Sequence, residues 1–436
     1  MTTTLPRTAW PATLPAPAPL LRRIGKHPSV MHYYRLAALV IAANAALAWL
    51  AAGHFGWWAR DGIDLTAISH AVVANLALAI VIRQQYVINL LFWLATRAPL
   101  TWPLRVRWAL AKVYHFGGLH VGGALAGTLW FLVYVTSLAY QATAGAGGVS
   151  LAVLVVAAVL AGLLLALVVT ALPPVRSRWH DGFELVHRFG GWSALALFWT
   201  LTVLTGPTVP AVAGLGLVTL SVALPWLRLR RVPVHIERPS GHVALARFNH
   251  GVTPFPGSST AISRHPLREW HSFANVPAPG KSGFRLTISR AGDWTGAFID
   301  DAPERVWVKG ITTAGVANIE TLFTRVVYVA TGSGIGPCLP HLLARLVPAH
   351  LVWATRSPRE TYGEALVDEI LSVQPEATIW DTSAHGKPDM VALAYEAYAA
   401  TGAEAVICIS NKKLTWRVVH GLERRGIPAY GAIWDS

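Results

Sequence analysis

Six apolar stretches fill the first half of this chain: Leu36–Ala52, Leu65–Ile82, Val113–Tyr140, Leu151–Leu172, Leu185–Leu204 and Val209–Leu227. Each approaches the roughly 20 residues that a helix needs to cross about 30 Å of hydrocarbon. Composition agrees: 53% of residues are hydrophobic and only 13% are charged, against about 25% charged in an ordinary soluble domain. The basic residues alternate between connections. Arg7, Arg22, Arg23, Lys26 and Arg35 precede the first stretch, and Arg83, Arg97, Arg105, Arg107 and Lys112 lie between the second and third. Arg176, Arg178 and Arg188 follow the fourth, and Arg228, Arg230 and Arg231 follow the sixth, whereas the other three connections hold only Arg60. By the positive-inside rule this predicts six spans with both termini in the cytosol, in the plasma (inner) membrane, with the lipid bilayer as a partner. No apolar core precedes Leu36, so no cleavable signal peptide is expected.

The net charge of +14 could suggest a nucleic-acid partner. Its distribution excludes that reading. Residues 1–231 hold 17 Lys/Arg against 4 Asp/Glu, while residues 232–436 hold 19 against 18. The excess belongs to the apolar half, where loop placement accounts for it. Two cysteines, Cys338 and Cys408, are too few for a disulfide framework or an iron–sulfur site.

Two histidines open similar segments. His115 precedes Phe116-Gly117-Gly118, and His187 precedes Arg188-Phe189-Gly190-Gly191, each leading into a long apolar run. Facing imidazoles can supply both axial ligands of a haem, and glycines leave room for a porphyrin face. His115 and His187 are therefore candidate ligands of one b-type haem. The alternative is a pair of interfacial histidines hydrogen-bonded to their neighbours.

From Val232 the pattern changes to short alternating segments such as Val234–Glu237 and Val243–Phe248, divided by Pro, Gly and Ser. This predicts an antiparallel β-barrel to about residue 320. The apolar strand Thr324–Ala330 then runs into Thr331-Gly332-Ser333-Gly334-Ile335-Gly336-Pro337 and a helical stretch, and further strands alternate with helices. That order predicts a parallel α/β sheet, with a glycine turn at which backbone amides can approach a dinucleotide pyrophosphate. The expected organisation is a cytosolic segment 1–35, a six-helix transmembrane bundle 36–231, a β-barrel FAD-binding domain 232–320 and an α/β nicotinamide-binding domain 321–436.

The second half resembles the ferredoxin-NADP reductase superfamily, and within it the ferric reductase/NADPH oxidase branch, with TmpA-like integral membrane flavoproteins the nearest kind. Arg268-Glu269-Trp270-His271-Ser272-Phe273-Ala274 is similar to that branch's W-H-P-F-[ST] flavin motif, and Gly292-Asp293-Trp294-Thr295 to its G-D-W-T element. Lys309-Gly310-Ile311-Thr312 falls at the second flavin loop, and Gly332–Pro337 matches the G-x-G-[IL]-[GA]-P nicotinamide motif.

The resemblance implies FAD held by Trp270–Ala274, Gly310 and Thr312. In it His271 contacts the phosphate or ribityl side and Phe273 lies against the ring, while Trp434 stacks on the flavin. It implies a nicotinamide dinucleotide cradled by Thr331, Gly332, Ser333, Gly334, Gly336 and Pro337. Arg356, Ser357 and Arg359 stand where an adenosine phosphate would lie, which favours NADPH over NADH. Departures from the branch are Ala274, where it has Ser/Thr, and Ile409-Ser410-Asn411, where it has C-G-P. Its second histidines on helices three and five are replaced by Thr128/Leu129 and Thr200/Leu201. The expected activity is a membrane-bound flavoprotein oxidoreductase. It would pass electrons from NAD(P)H to FAD, then to an inner haem or to an unidentified acceptor at the cytosolic face. A transmembrane ferric or oxygen reductase and a non-catalytic membrane flavin sensor are the alternatives.

Overall fold

The computed structural model describes residues 13–432 except 60–61, 145–147, 278–279 and 281. The chain forms two compact units. One comprises residues 32–87 and 115–227, the other residues up to 31, 88–114 and 228 onward.

The first unit is helical: α1 (His32–Gly53), α2 (Leu65–Val81), α3 (Gly117–Thr143), α4 (Leu151–Ala171), α5 (Gly191–Thr205) and α6 (Val209–Leu227). Local chemistry sets several ends. The Asp64 carboxylate accepts from the Ala67 amide to start α2, and the Ser150 hydroxyl accepts from the Val153 amide to start α4. Glycines let α3 pack backbone-close on two neighbours. A Cβ at Gly122 would lie 2.7 Å from the Val40 Cβ of α1, and one at Gly123 would lie 2.7 Å from the Asn75 carbonyl of α2. A polar clasp sits in the same contact. Asn44 and Asn75 exchange amide hydrogen bonds of 2.8 and 2.7 Å, and the Trp130 indole donates to Asn44 at 2.8 Å. Around it pack Ile68, Phe131, Leu160 and Phe198.

The six-span bundle is corrected. Four described helical stretches are long and apolar enough to cross a membrane by length and composition: His32–Gly53, Leu104–Thr143, Leu151–Ala171 and Val209–Leu227. A fifth exists only if the bent pair Leu65–Val81 and Gln85–Thr96 is one broken span. The expected fifth span, Leu185–Leu204, is not among these stretches, because a π-turn at Val186–Gly190 interrupts it and α5 begins only at Gly191. Its 15 residues rise only about 22 Å.

In the second unit the antiparallel strands are β1 (Leu229–Pro233), β2 (His235–Glu237), β3 (Val243–Phe248), β4 (Ser258–Ser263), β5 (His271–Ala274) and β6 (Phe284–Ser289), then helix α7 (Asp293–Asp301), β7 (Arg305–Lys309) and β8 (Thr313–Ala314). The closed barrel is corrected as well. The strands divide into one sheet ordered β8-β4-β7-β1, with β5 on β4, and another ordered β2-β3-β6. A single bridge, Val276–Arg285, joins β6 to the continuation of β5. Alternation shows which face of a strand is buried but not whether a sheet closes. Both sheets and α7 share a core of Val232, Phe248, Ile262, Leu286, Phe298 and Val308.

The parallel sheet follows: β9 (Val326–Thr331), α8 (Ile335–Ala344), β10 (Ala349–Thr355), α9 (Glu364–Val373), β11 (Thr378–Asp381), α10 (Met390–Thr401), β12 (Ala405–Ile409), α11 (Lys412–Glu423) and β13 (Ala429–Tyr430). Its order is β11-β10-β9-β12-β13. The chain builds outward from β9 to β11, then returns to the other side of β9 with β12. This makes the β9/β12 boundary the topological switch point, where open α/β sheets place ligands. Beneath it a buried chain links three elements. The Tyr328 hydroxyl donates to Glu320 at 2.7 Å, and Glu320 meets His341 Nδ1 at 2.5 Å.

Residues 88–114 are bolted to this body. Arg107 is bidentate to Glu404 and also donates to the Leu322 carbonyl at 2.7 Å. Lys112 meets Glu423 at 2.5 Å and the Ala429 carbonyl at 3.0 Å, over the Tyr430 ring.

Two outcomes test this packing. Gly122→Val is expected to destabilise the helical unit by about 1–3 kcal/mol, while Gly162→Ala, inside α4 and with a new Cβ that meets nothing within 4 Å, is expected to stabilise it by about 0.5–1 kcal/mol. Equal thermal unfolding of the two variants would contradict the close approach. The Arg107 hydrogen bond holds the Glu404 carboxyl below the usual carboxylate range. A carboxyl depressed on folding contributes its stability above its ordinary value and loses it as pH falls through the folded one. Arg107→Met is therefore expected to cost about 1.5–3 kcal/mol at neutral pH and to flatten the acid limb of the stability–pH curve. An acid limb of native steepness would refute the pairing.

Candidate functional site

The glycine turn occupies the switch point. β9 ends at Thr331, Gly332 adopts φ +49°, and α8 begins at Ile335. A Cβ at Gly334 would lie 2.0 Å from the Ile409 carbonyl oxygen at the end of β12, a distance no side chain can occupy. Gly336 is less constrained, since its Cβ would meet Thr287 at an ordinary 3.4 Å. The Trp353 indole, fully buried on β10, donates to the Gly332 carbonyl at 3.0 Å and fixes the turn from the other side. The Thr331 hydroxyl is hydrogen-bonded to that of Ser410 across the switch point.

At the end of β10 the candidate phosphate residues separate. Arg356 is exposed. Arg359 is engaged by Glu364 and, at 2.8 Å, by Asp368. Ser357 adopts a left-handed φ of +36°, and the Asp381 carboxylate accepts from the amides of Ser357 at 3.0 Å and Ser383 at 2.8 Å. Sequence reading missed Asp381. It is distant along the chain and arrives beside Thr355 only through the β10/β11 register.

The flavin-motif strand is β5, paired with β4 so that Ser272 opposes Ala261 and Ala274 opposes Ser259. These four small residues lie on one face, and none is buried. His271 and Phe273 occupy the other face. The His271 ring stacks on Trp294 at 4.0 Å, and Phe273 lies 6.2 Å from the same ring against the body's core. Trp270 donates to the Pro266 carbonyl at 2.8 Å, with the Lys309 ammonium 4.5 Å over its ring. Glu269 organises this corner. One carboxylate oxygen accepts from the Ser263 hydroxyl at 3.2 Å, the Arg264 and His265 amides at 3.1 and 2.9 Å, and the Trp294 indole at 3.3 Å. Neither Glu269 nor Trp294 was singled out from sequence, although both stand inside the quoted motifs. The backbone of the Gly310–Thr312 loop is held from residues 88–114, since Asn89 donates to the Thr312 carbonyl at 2.9 Å and accepts from the Ala314 amide at 2.8 Å. Trp434 lies outside the described residues.

The haem expectation is corrected. His115 is buried and stacks on His32 at 5.8 Å, while His187 packs against Phe183 at 4.7 Å. Each imidazole thus has an aromatic ring as a neighbour. Among the described residues no group of three or more His, Cys, Asp or Glu could hold a metal ion. Both cysteines are buried, and burial pushes the Cys408 thiol up to about 12, so neither offers a thiolate near neutral pH.

The chain is 42% identical over 94% of its length to "Adenylate-forming reductase 03009" of Coprinopsis cinerea, covering 41% of that protein. It is 41% identical over 93% of its length to "Adenylate-forming reductase 06235" of the same fungus, covering 40% of it. It thus spans about two fifths of the length of the curated relatives it matches. Residues 316–436 match the family described as "Adenylate-forming reductase 03009, C-terminal domain". Among solved structures, 47% of the chain is similar to 98% of a ferredoxin NADP+ reductase from Neisseria gonorrhoeae with bound FAD and NADP, at 13% identity and a TM-score of 0.38.

These relatives correct the functional expectation. They are named for adenylate formation and reduction, not as ferric-reductase or TmpA-like membrane proteins. The membrane flavoprotein relaying electrons to haem or to an acceptor at the cytosolic face is set aside, with its transmembrane-reductase and sensor alternatives. The inner-membrane placement is withdrawn with them, because it rested on six spans and on that branch.

Removing the carboxylate in Glu269→Ala is expected to cost about 1.5–3 kcal/mol in chemical denaturation. Glu269→Gln, which keeps an acceptor oxygen, should recover most of it. Native stability in the alanine variant would show that the four donors find other partners.

Proposed function

We propose that this chain is the reducing portion of a protein of the adenylate-forming reductase kind: a nicotinamide-dependent oxidoreductase with NADPH at the glycine turn and FAD on the adjoining antiparallel body. The observation that carries this reading is the Gly334 approach to Ile409. A backbone pressed that closely against the neighbouring strand end, at the switch point and before a helix N-terminus, fixes the turn whose amides would meet a pyrophosphate. The residues present fit a dinucleotide. Gly332, Ser333, Gly334, Gly336 and Pro337 line the turn, and Arg356 with Ser357 closes the adenosine end. Arg359 would have to exchange a carboxylate for a phosphate.

The flavin residues fit as well. The face made by Ser259, Ala261, Ser272 and Ala274 suits a planar ring, because small side chains leave it flat. Lys309 over Trp270 provides a cation beside it for a phosphate tail. Bound there, NADPH supplies a hydride and FAD accepts it. The protein's own part is to align the two sites. Trp353 and Ile409 hold the turn rigid, Glu269 holds the loop before β5, and Asn89 holds the loop after Gly310. In the relatives reduction is paired by name with adenylate formation, so the adenylate made in that step is the acceptor this reading favours.

The test uses purified full chain reconstituted with FAD under anaerobic conditions. NADPH is expected to bleach the visible flavin bands. In Gly334→Val the bleaching rate should fall at least a hundredfold, about 2.7 kcal/mol at 1.36 kcal/mol per tenfold, with far-ultraviolet circular dichroism preserved. Flavin that binds yet stays oxidised with NADPH would overturn the proposal, as would native bleaching in Gly334→Val.

A further inference from the structure

The sheet β2-β3-β6 carries a row of basic side chains that neither the glycine turn nor the flavin strand uses. Strand register sets it. His235 on β2 opposes Arg247 on β3, and Arg247 opposes Arg285 on β6. Opposed residues share one face of a sheet, so an imidazole and two guanidiniums stand in line across three strands. Like charges set directly opposite each other are destabilising, and each guanidinium has drawn in a carboxylate. Arg247 donates from Nε and Nη2 to Glu237 at 3.3 and 3.0 Å. Arg285 is paired with Glu369 of α9.

These pairs leave donors over. A guanidinium has five N–H groups. No described residue accepts from Nη1 of either arginine, nor from the buried Nε of Arg285. A cavity of about 410 Å³ opens against the row. His235, Arg247, Arg285 and Glu369 are on its polar side, and Val276 and Leu343 are among its apolar residues. Small-molecule sites combine such a volume with a largely apolar wall and a few placed polar groups. The glycine turn is elsewhere. Thr287, two residues along β6 from Arg285, lies beside Gly336 in the first turn of α8, whereas Leu343 is in the last turn. The helix between them rises about 10 Å.

We propose that this cavity is a second binding site, which takes a small organic acid: its carboxylate bridges Arg247 and Arg285, and its apolar body lies against Val276 and Leu343. An acid fits better than a neutral ligand because the unused guanidinium groups are donors only, and their hydrogen bonds to a carboxylate are charge-assisted. It fits better than an inorganic anion because the apolar wall gains only from covering apolar surface. Opposed strands set the two arginine Cα atoms about 5 Å apart, close enough for both side chains to reach one carboxylate. The site stands on its own geometry and does not depend on the nucleotide reading.

Fluorescence titration of the full chain with anilinonaphthalene sulfonate, an aromatic monoanion, tests it. Saturable one-to-one binding is expected, displaced by decanoate but not by decanol, and insensitive to excess NADP+. Arg247→Met should weaken the dye about tenfold, the size of one lost charge-assisted contact. Arg247→Lys, which keeps the charge, should recover part of that affinity. Leu343→Trp, which fills the cavity from α8, should abolish binding with far-ultraviolet circular dichroism preserved. Native affinity in Arg247→Met and Leu343→Trp alike would place the dye on another apolar face and overturn the proposal. Displacement by decanol as effective as by decanoate would overturn the acid as the ligand class. Displacement by NADP+ would overturn the separation from the nucleotide site.

Discussion

A hydrogen atom at position 334 decides the geometry of this protein's candidate site. With the Ile409 carbonyl 2.0 Å from where a Cβ would stand, any side chain would push β12 from β9 or tilt α8. The rest of the site takes its position from that contact. Trp353 braces the turn from β10, Thr331 and Ser410 meet across it, and the helix that follows carries His341 down to Glu320. The buried His341–Glu320–Tyr328 chain thus anchors the nucleotide helix to both the central strand and the connector from the antiparallel body. Breaking such a pair leaves an uncompensated charge in the interior, so the site and the core share their supports.

The sequence showed clearly what local chemistry decides. Long apolar runs became helices, and the Thr324–Pro337 segment became strand, turn and helix, because strand, glycine and helix signals agreed there. What failed depended on distant contacts or on a single backbone angle. The π-turn at Val186–Gly190 interrupted the expected fifth span, a break that hydropathy averages over. Period-2 alternation in residues 234–289 was the same for an open pair of sheets as for a barrel. Asp381 was invisible as a site residue because strand register, not spacing, brings it to Ser357. Glu269 and Trp294 were within sight, inside the quoted motifs, but their mutual bond could not be read from a one-dimensional pattern.

The resemblance to membrane flavoproteins and the likeness to adenylate-forming reductases share one part, reduction, and diverge on the rest. The shared part is the one the geometry supports, since a switch-point turn and a flat, small-residue strand face suit a nicotinamide–flavin pair whatever the electrons finally reduce. The haem route had no comparable support, with His115 stacked on His32 and His187 tilted against Phe183. The helical unit keeps an outward apolar surface that includes Trp49, Val155, Val159, Val203 and Leu220, and the reductive reading does not use it.

Residues 88–114 carry a consequence for how this protein can be divided. Arg107 and Lys112 neutralise Glu404 and Glu423 and satisfy the Leu322 and Ala429 carbonyls, while Asn89 completes the loop after Gly310. This body is therefore discontinuous in sequence, drawing residues 88–114 from ahead of the segment that begins at residue 228. A fragment starting at residue 232 would lose the Arg107 partner of Glu404 and the Leu322 carbonyl, and the Lys112 partner of Glu423 and the Ala429 carbonyl. Recombination that exchanges modules at that seam would have to bring the 88–114 segment along, or the exchanged half would arrive without its keystone.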